Sequence, residues 1–593
     1  MTEISRALRL GAANCAAILW LLSLAPVSAE TPLILSHAAS NEAADFDVYF
    51  PLRNKAELDK LVLSQVDKGS GQYHKWLTPA EFQARFGPAE ETVTQVTAEL
   101  NGLGFHVAGR LGQMLHVTGS VAAVEAAFAV EIDHGRFAEG TEALVASGAL
   151  RLPPSLAASG AQIPQFTTVG PFRRHSQRVD MAPQARPDNF NSELGPYLTA
   201  DLRQAYDYPS SGSVTGAGIV IGILMSGAYD ASDMELYFEN ELLPKADWPK
   251  LSTIAINGGA PFSVENSTET HLDIQQSAGM AIGTTEVLYN LSDLTNPVVL
   301  YGLNRMVSDN VVEIVNMSFG EPEVDYLASN NGGIAQTYLL AIEDMLFEQG
   351  SAQGITFVAS SGDHGGDPKS APANHPVTTV EAPASDPYVT GVGGTNLVTA
   401  FTSGSNNSAY VSEFELPDSE KGGGVWGSGG GKSIVFAKPS YQKLVTTPST
   451  SMRTVPDLAL HMGGCPSDAT DDCQDTRSAD FVAIGGQFEE VIGTSASSPD
   501  IAGMYALAAK LTKGHRLGWM NTALYQAAQY QANHPSVVIY RHKAITGNNS
   551  IYQIKAPYDL VIGNGTIDAR LFIEGLLDVS LTASGIPGTA TNP

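Results

Sequence analysis

The sequence predicts an α/β protein: one long unit built on a buried parallel sheet with flanking helices, preceded by a small α+β unit. Three observations carry this. Short, predominantly apolar runs recur at 219–224, 311–317, 355–359 and 389–392. Runs of that length without polar alternation mark strands covered on both faces. Helix-period stretches and glycine-rich connections, such as those at 422–424 and 429–431, separate them. Before residue 150, helical spacing at 91–103 and 121–128 stands beside strand-like pieces at 105–107 and 114–117.

Composition narrows the class. The chain has 593 residues, which at roughly 100–200 residues per domain makes two or three units. A hydrophobic content of 43% excludes a disordered chain. Lys and Arg total 33 against 62 Asp and Glu, a net charge of −29. Phosphate binding needs clustered cations, so nucleic acid and anionic lipid are not expected partners. Only 16% of residues are charged while 58 are glycine, a profile that fits a loop-rich exported enzyme.

The elements follow in order. Residues 1–29 read as a signal peptide: Arg6 and Arg9, a short apolar run ending near Leu22, then Val27-Ser28-Ala29 before Glu30. The run is short for a bilayer span, so the expectation is a secreted or periplasmic protein with no membrane segment after processing. Residues 30–150 form the small α+β unit. Residues 151–195, rich in Pro, Gly, Ser and Ala, read as an exposed linker open to cleavage. The linker holds Arg173-Arg174-His175-Ser176-Gln177-Arg178, the most basic spot in the chain. Residues 196–593 form the large unit. There Cys465 and Cys473, eight apart, are expected to close a short loop in an oxidising compartment, two free thiols being the alternative. No second Cys or His pair stands at zinc-ligand spacing beside them.

Three segments carry chemistry. Gly493-Thr494-Ser495-Ala496-Ser497-Ser498-Pro499 precedes a helical pattern. Small residues leave the Ser495 hydroxyl open, and a helix start supplies free N–H groups suited to an oxyanion. A serine/threonine helix cap is the plainer reading. A serine nucleophile needs a base, and no histidine stands in a suitable motif: His364 follows Asp363, and His375 lies in a proline-rich loop. Glu269 and Asp273 stand at i and i+4 on a predicted helix, which stacks their carboxyls on one face. Acids so close titrate as a coupled pair; two solvated surface acids are the alternative. Ser361-Gly362-Asp363 closes the strand at 355–359, at the end where open α/β sheets bind ligands. Asp363 donates a hydrogen bond there only when protonated; otherwise it is a turn residue.

In this order the motifs resemble the sedolisin family of serine-carboxyl peptidases. Val389-Thr390-Gly391-Val392-Gly393-Gly394-Thr395 and Val455-Pro456-Asp457 fit the same pattern. The N-terminal unit is similar to a kumamolisin-type activation propeptide, through His74-Lys75-Trp76-Leu77-Thr78-Pro79 and Arg85-Phe86-Gly87. The resemblance implies a subtilisin-like fold and an endopeptidase made as a zymogen. Ser495 is then the nucleophile, Glu269 the general base, Asp273 its partner and Asp363 the oxyanion donor beside the Ser495 N–H. It implies protein or peptide substrates, the propeptide as intramolecular inhibitor, a monomer, and activity peaking in acid.

The resemblance also implies one Ca2+, held by Asp559 and the carbonyls of Ile545, Lys555 and Pro557. Ala544 stands where the family has a further Asp, removing a charged oxygen ligand. Ile492 replaces the small residue usual before Gly493 and is expected to narrow the approach to Ser495. The alternatives are a tripeptidyl exopeptidase of the same family and a non-catalytic binding protein on the same fold. A glycosidase using the acid pair leaves the serine motif unexplained.

Overall fold

The computed structural model describes residues 31–179, 187, 189, 192–367, 378–401, 406–419, 425–464 and 478–582. The expected signal peptide, Cys465, Cys473, His375 and the glycines at 422–424 lie outside the described residues.

The apolar runs build the middle of a nine-stranded sheet. Its strands are β1 (Val220–Met225), β2 (Lys250–Ile256), β3 (Thr285–Leu291), β4 (Ile314–Met317), β5 (Thr356–Ser360), β6 (Val389–Thr399), β7 (Tyr410–Glu415), β8 (Leu458–His461) and β9 (Ile545–Gly547). They lie in the order β2-β3-β1-β4-β5-β6-β7-β9, with β8 also paired to β6. The β6–β7 pair is antiparallel and the others are parallel. The four runs seen in the sequence are β1, β4, β5 and β6, neighbours at the centre, where both faces are covered and alternation has no use.

Helices α1 (Val264–Met280), α2 (Asn296–Asp309), α3 (Tyr338–Ala352) and α4 (Thr494–Leu511) flank the sheet. Helices α1 and α4 pack against one another, and α4 also lies across β5 and β6. Almost no side chain of α1 beyond Asn266 or of α4 before Lys510 reaches solvent. Among the described residues, no helix is long and apolar enough to cross a membrane.

The N-terminal unit has its own core, in which Phe46 meets Phe105 and Phe128 edge-on. One sheet joins Phe46–Tyr49, His106–Leu111 and Met114–Thr118; another joins Leu33–His37, Ile132–Arg136 and Glu142–Ala146. The helices expected at 91–103 and 121–128 form as Glu90–Gly102 and Val121–Phe128. Helix Pro79–Phe86 starts with a capping box between Thr78 and Glu81 and a proline at its first turn.

The unit docks on α3. Its helix Lys55–Val66 packs there, with Lys55 Nζ 2.9 Å from Glu348 Oε2. The backbone N–H of Leu77 donates to the Ala352 carbonyl at 3.1 Å. The Trp76 ring lies flat over two glycines of the large unit: a Cβ at Gly518 would come within 2.5 Å of it, and one at Gly354 within 2.7 Å.

The linker is not the exposed tether its composition suggests. Ile163, Phe166, Val169, Phe172 and His175 are buried. Arg173 and Arg174 pair antiparallel with Gly320 and Phe319, and Gln177 and Arg178 with Ile492 and Val491. A segment poor in intrinsic structure becomes extended because edges of the large unit supply its backbone partners.

Candidate functional site

The site forms where the N-terminus of α4 meets α1 and the loops after β4 and β5. Gly493 precedes α4 with φ 140°, in the region that favours glycine. A Cβ there would collide with the carbonyl of His175 and come 2.8 Å from Asp363 Oδ2. The turn therefore brings backbone against backbone beside the serine. Pro499 sits early in α4, where its missing N–H leaves little unsatisfied.

Ser495 is wholly buried under the linker. Its backbone N–H donates to the His175 carbonyl at 3.0 Å, and its hydroxyl to the Ser318 carbonyl at 3.4 Å. The same Ser318 carbonyl accepts the His175 N–H at 3.2 Å. A peptide carbonyl of the linker thus occupies the position an oxyanion donor serves.

Glu269 and Asp273 share the inner face of α1, and both are buried, at 1% and 0% exposure, so the solvated-acid alternative does not hold. Ser263 caps α1, its hydroxyl accepting from Asn266 N. Glu269 Oε2 accepts the Ser176 hydroxyl. Burial pushes the Glu269 carboxyl up, and hydrogen bonds from Ser176 and Ser495 hold it back. Burial, with the charge of Glu269 behind it, pushes Asp273 well above the carboxylate range. Asp273 Oδ1 accepts the Ser318 hydroxyl at 2.5 Å, and Asn316 Nδ2 steadies that hydroxyl at 3.0 Å.

Asp363 follows β5. Its Oδ1 takes both the N–H and the hydroxyl of Thr494, while Oδ2 is buried without a partner. Burial raises it to about 7, against the pull of His175 and of the Thr494 donors. His271 is buried between the Ser267 carbonyl and the Asp230 N–H, away from this chemistry.

The structure thus brings Glu269, Asp273, Asp363 and Ser495 into one buried site. It also adds Ser318, Asn316 and Glu381, which sequence reasoning missed, and gives contacts to Thr494 and Ser360, which lie in segments it singled out; Ser360 and Glu381 hold the His175 ring at 2.7 and 2.6 Å. Of the three missed, Asn316, a polar residue inside the apolar run at 311–317, and Ser318, just past it, left a signal. Ile492 does not narrow the approach: its side chain packs with Trp426, Met462 and Ala479, and only its backbone meets Gln177.

The residues expected to hold Ca2+ do not fit that ion. Ala544 offers no carboxylate. Asp559 Oδ1 accepts from the N–H groups of Val561 and Ile562, and Oδ2 from that of Lys555. The buried ring of His542 brings Nε2 to 2.9 Å from the same Oδ2, where a cation would approach. Hard cations want a shell of free oxygens. Among the described residues no group of three or more His, Cys, Asp or Glu is placed to hold a metal.

A model of the Pro-kumamolisin activation domain matches residues 34–164, and the Subtilase family model matches 253–536. Sedolisin from Pseudomonas sp. (strain 101) is 27% identical over 569 residues, spanning 92% of this chain and 89% of that protein. Kumamolisin from Bacillus sp. (strain MN-32) is 27% identical over 523 residues, spanning 84% and 85%. Among solved structures, Pseudomonas sedolisin complexed with two molecules of pseudo-iodotyrostatin superposes with a TM-score of 0.53 at 25% identity, covering 67% of this chain and 99% of that one.

Proposed function

Because the chain is a sedolisin-family serine peptidase with a pro-kumamolisin activation domain, we propose that it is an exported zymogen of an acid-acting endopeptidase with Ser495 as nucleophile and Glu269 as base. The observation that carries this reading is the linker carbonyl of His175 on the Ser495 N–H, with Glu269 against the next residue.

The chemistry follows from the site. Ser495 Oγ bonds to the carbonyl carbon as its proton passes to Glu269. The C–N bond then breaks, and that proton leaves with the departing amine. Water enters by the reverse route: its oxygen bonds to the acyl carbon as its proton passes to Glu269, the bond from that carbon to Ser495 Oγ breaks, and Glu269 returns the proton to Oγ as the acid leaves. Asp273, held by Ser318, orients Glu269 and shares its charge. Asp363 in its protonated form donates through Oδ2 to the oxyanion beside the Ser495 N–H.

Endopeptidase action is favoured over removal of tripeptides. Phe172, the fourth residue upstream of the occupied carbonyl, is buried against Phe319, and its N–H donates to the Leu294 carbonyl at 2.9 Å. The cleft therefore accepts chain beyond the third residue.

The test is acidification of the purified precursor, followed by mass spectrometry and a protein-substrate assay. Wild type is expected to cut its linker and turn over substrate. Ser495→Ala and Glu269→Ala precursors are expected to stay whole. Cleavage by the serine variant at the wild-type rate overturns the assignment.

A further inference from the structure

A cavity of about 800 Å³ opens just before β9, at the edge of the sheet, and none of its lining residues belongs to the site around Ser495. Its size is that of a small-ligand pocket. One wall is apolar, built from Leu444, Val445 and Ala528, with Val538 on the rim at 49% exposure. The opposite character comes from Arg541, His542 and Lys543, which line it in succession. No Asp or Glu lines it, in a chain with 62 of them against 33 Lys and Arg. Ala544 lines it too, so the residue that denies a cation its carboxylate also keeps a negative charge off this wall.

Three polar atoms of the lining are buried without a partner among the described residues: Arg541 Nη1, His542 Nδ1 and Asn564 Oδ1. His542 and Asn564 are only 4% and 2% exposed. Each group is held from behind. Arg541 Nη2 donates to Asp568 Oδ2 at 3.3 Å, and the guanidinium lies 4.6 Å over the Tyr410 ring. His542 Nε2 stands 2.9 Å from Asp559 Oδ2. Asn564 Nδ2 donates to the Asp457 carbonyl at 2.9 Å, which fixes the amide and leaves its oxygen spare. The Arg541 N–H donates to the Thr566 carbonyl at 2.8 Å, and a Cβ at Gly565 would come 2.8 Å from His542 Cα, so the three groups stand on adjacent backbones.

We propose that this cavity is a binding site for the carboxy-terminal end of a peptide whose last residue is apolar.

The spare atoms select that ligand. Buried donors and acceptors left unpaired are costly, so a ligand that pairs them is favoured. Arg541 Nη1 needs an acceptor, and a carboxylate is the strongest one available to a guanidinium. Asn564 Oδ1 needs a donor, which a bare carboxylate lacks and would repel. The last residue of a peptide carries both, its carboxylate and its own N–H, with the side chain between them for the apolar wall. His542 Nδ1 serves either group, according to its tautomer. Each cut made by a peptidase leaves one fragment with such a carboxylate, so ligands of this class arise wherever the enzyme works.

The experiment is calorimetric titration of the full-length precursor at about pH 6, where an α-carboxyl is ionised. The probes are N-acetylleucine, its amide, which lacks the charge, and octanoate, which lacks the N–H. N-acetylleucine is expected to saturate one site and to bind at least about tenfold tighter than either. Val538→Glu, at the exposed rim, sets a like charge in the path of the carboxylate. It and Arg541→Gln are each expected to weaken N-acetylleucine by about tenfold or more. Absence of saturable binding, an amide that binds equally well, or an affinity unmoved in either variant overturns the proposal. Octanoate binding as tightly as N-acetylleucine marks a fatty-acid site and overturns it as well.

Discussion

Thr494 gives Asp363 its backbone N–H and its hydroxyl, each at 2.7 Å and both to the same oxygen. The other oxygen is left bare in a buried space beside the His175 carbonyl. A carboxyl held in this way has one face anchored and one face for work.

That arrangement sets a pH limit. Asp363 is raised to about 7, so it carries its proton below that value and loses it above. kcat on a neutral peptide is expected to fall as pH rises through about 7. Asp363→Ala should lower kcat by about 10²–10³, the usual loss for one oxyanion donor. Asp363→Asn, a donor at every pH, should flatten the alkaline limb. A pH–rate profile of the three proteins checks this.

Ser318 positions the acid pair without touching substrate through its side chain. Its hydroxyl on Asp273 holds that carboxyl down. Ser318→Ala should therefore raise the Asp273 pKa further and lower kcat by about tenfold with little change in KM. Steady-state kinetics with a shift in the acid limb distinguish this from general loss of fold.

Stability should fall as pH rises. Burial raises Glu286 and Glu343 each to about 8. A carboxyl raised in the folded state contributes stability that is complete below its unfolded value, near about 4.3, and is lost as pH climbs through the folded one. The Tm of the Ser495→Ala precursor should drop between pH 5 and about 8. Glu286→Gln should flatten that slope. Calorimetry across the range reads both.

Docking of the N-terminal unit should depend on Trp76. Its ring covers Gly354 and Gly518, and Trp76→Ala removes that cover. Trp76 is half-buried, so the loss is expected to fall short of the ~3–5 kcal/mol of a fully buried aromatic. The variant precursor should become active on added substrate sooner after acidification than wild type. Equal lag times would count against this role.

Chelation should leave the protein unmoved. With Asp559 spent on backbone N–H groups and His542 beside it, Tm with excess EDTA should match Tm with added Ca2+. A chelator-induced drop of several degrees would show an ion bound after all.

Much of the site was legible before any coordinates. Helical spacing, a local property, puts Glu269 and Asp273 on one face, but choosing them over solvated acids, and Ser495 over a helix cap, rests on the resemblance of the motifs taken in order. Asp363 followed from the place where a buried strand ends. His175, Ser176 and Glu381 were not legible, because their roles exist only once distant segments are threaded together. The linker's Pro, Gly and Arg content is the same whether it waves in water or lies between two strand edges. Asp559 was recognisable, yet the ring of His542 beside it is a product of folding.

The linker's two halves are held unequally. Downstream of His175, Gln177 and Arg178 rest on Val491 and Ile492. Upstream, Phe172, Thr167 and Thr168 are anchored to Leu294, Gln336 and Asn331, and the whole N-terminal unit follows. Severing the chain therefore leaves the upstream half seated as a competitor for the enzyme it has just produced. Activation of the precursor is therefore expected to show two phases: one for the cut within each molecule, independent of concentration, and one for eviction of the seated half, which should quicken with concentration as active copies digest it.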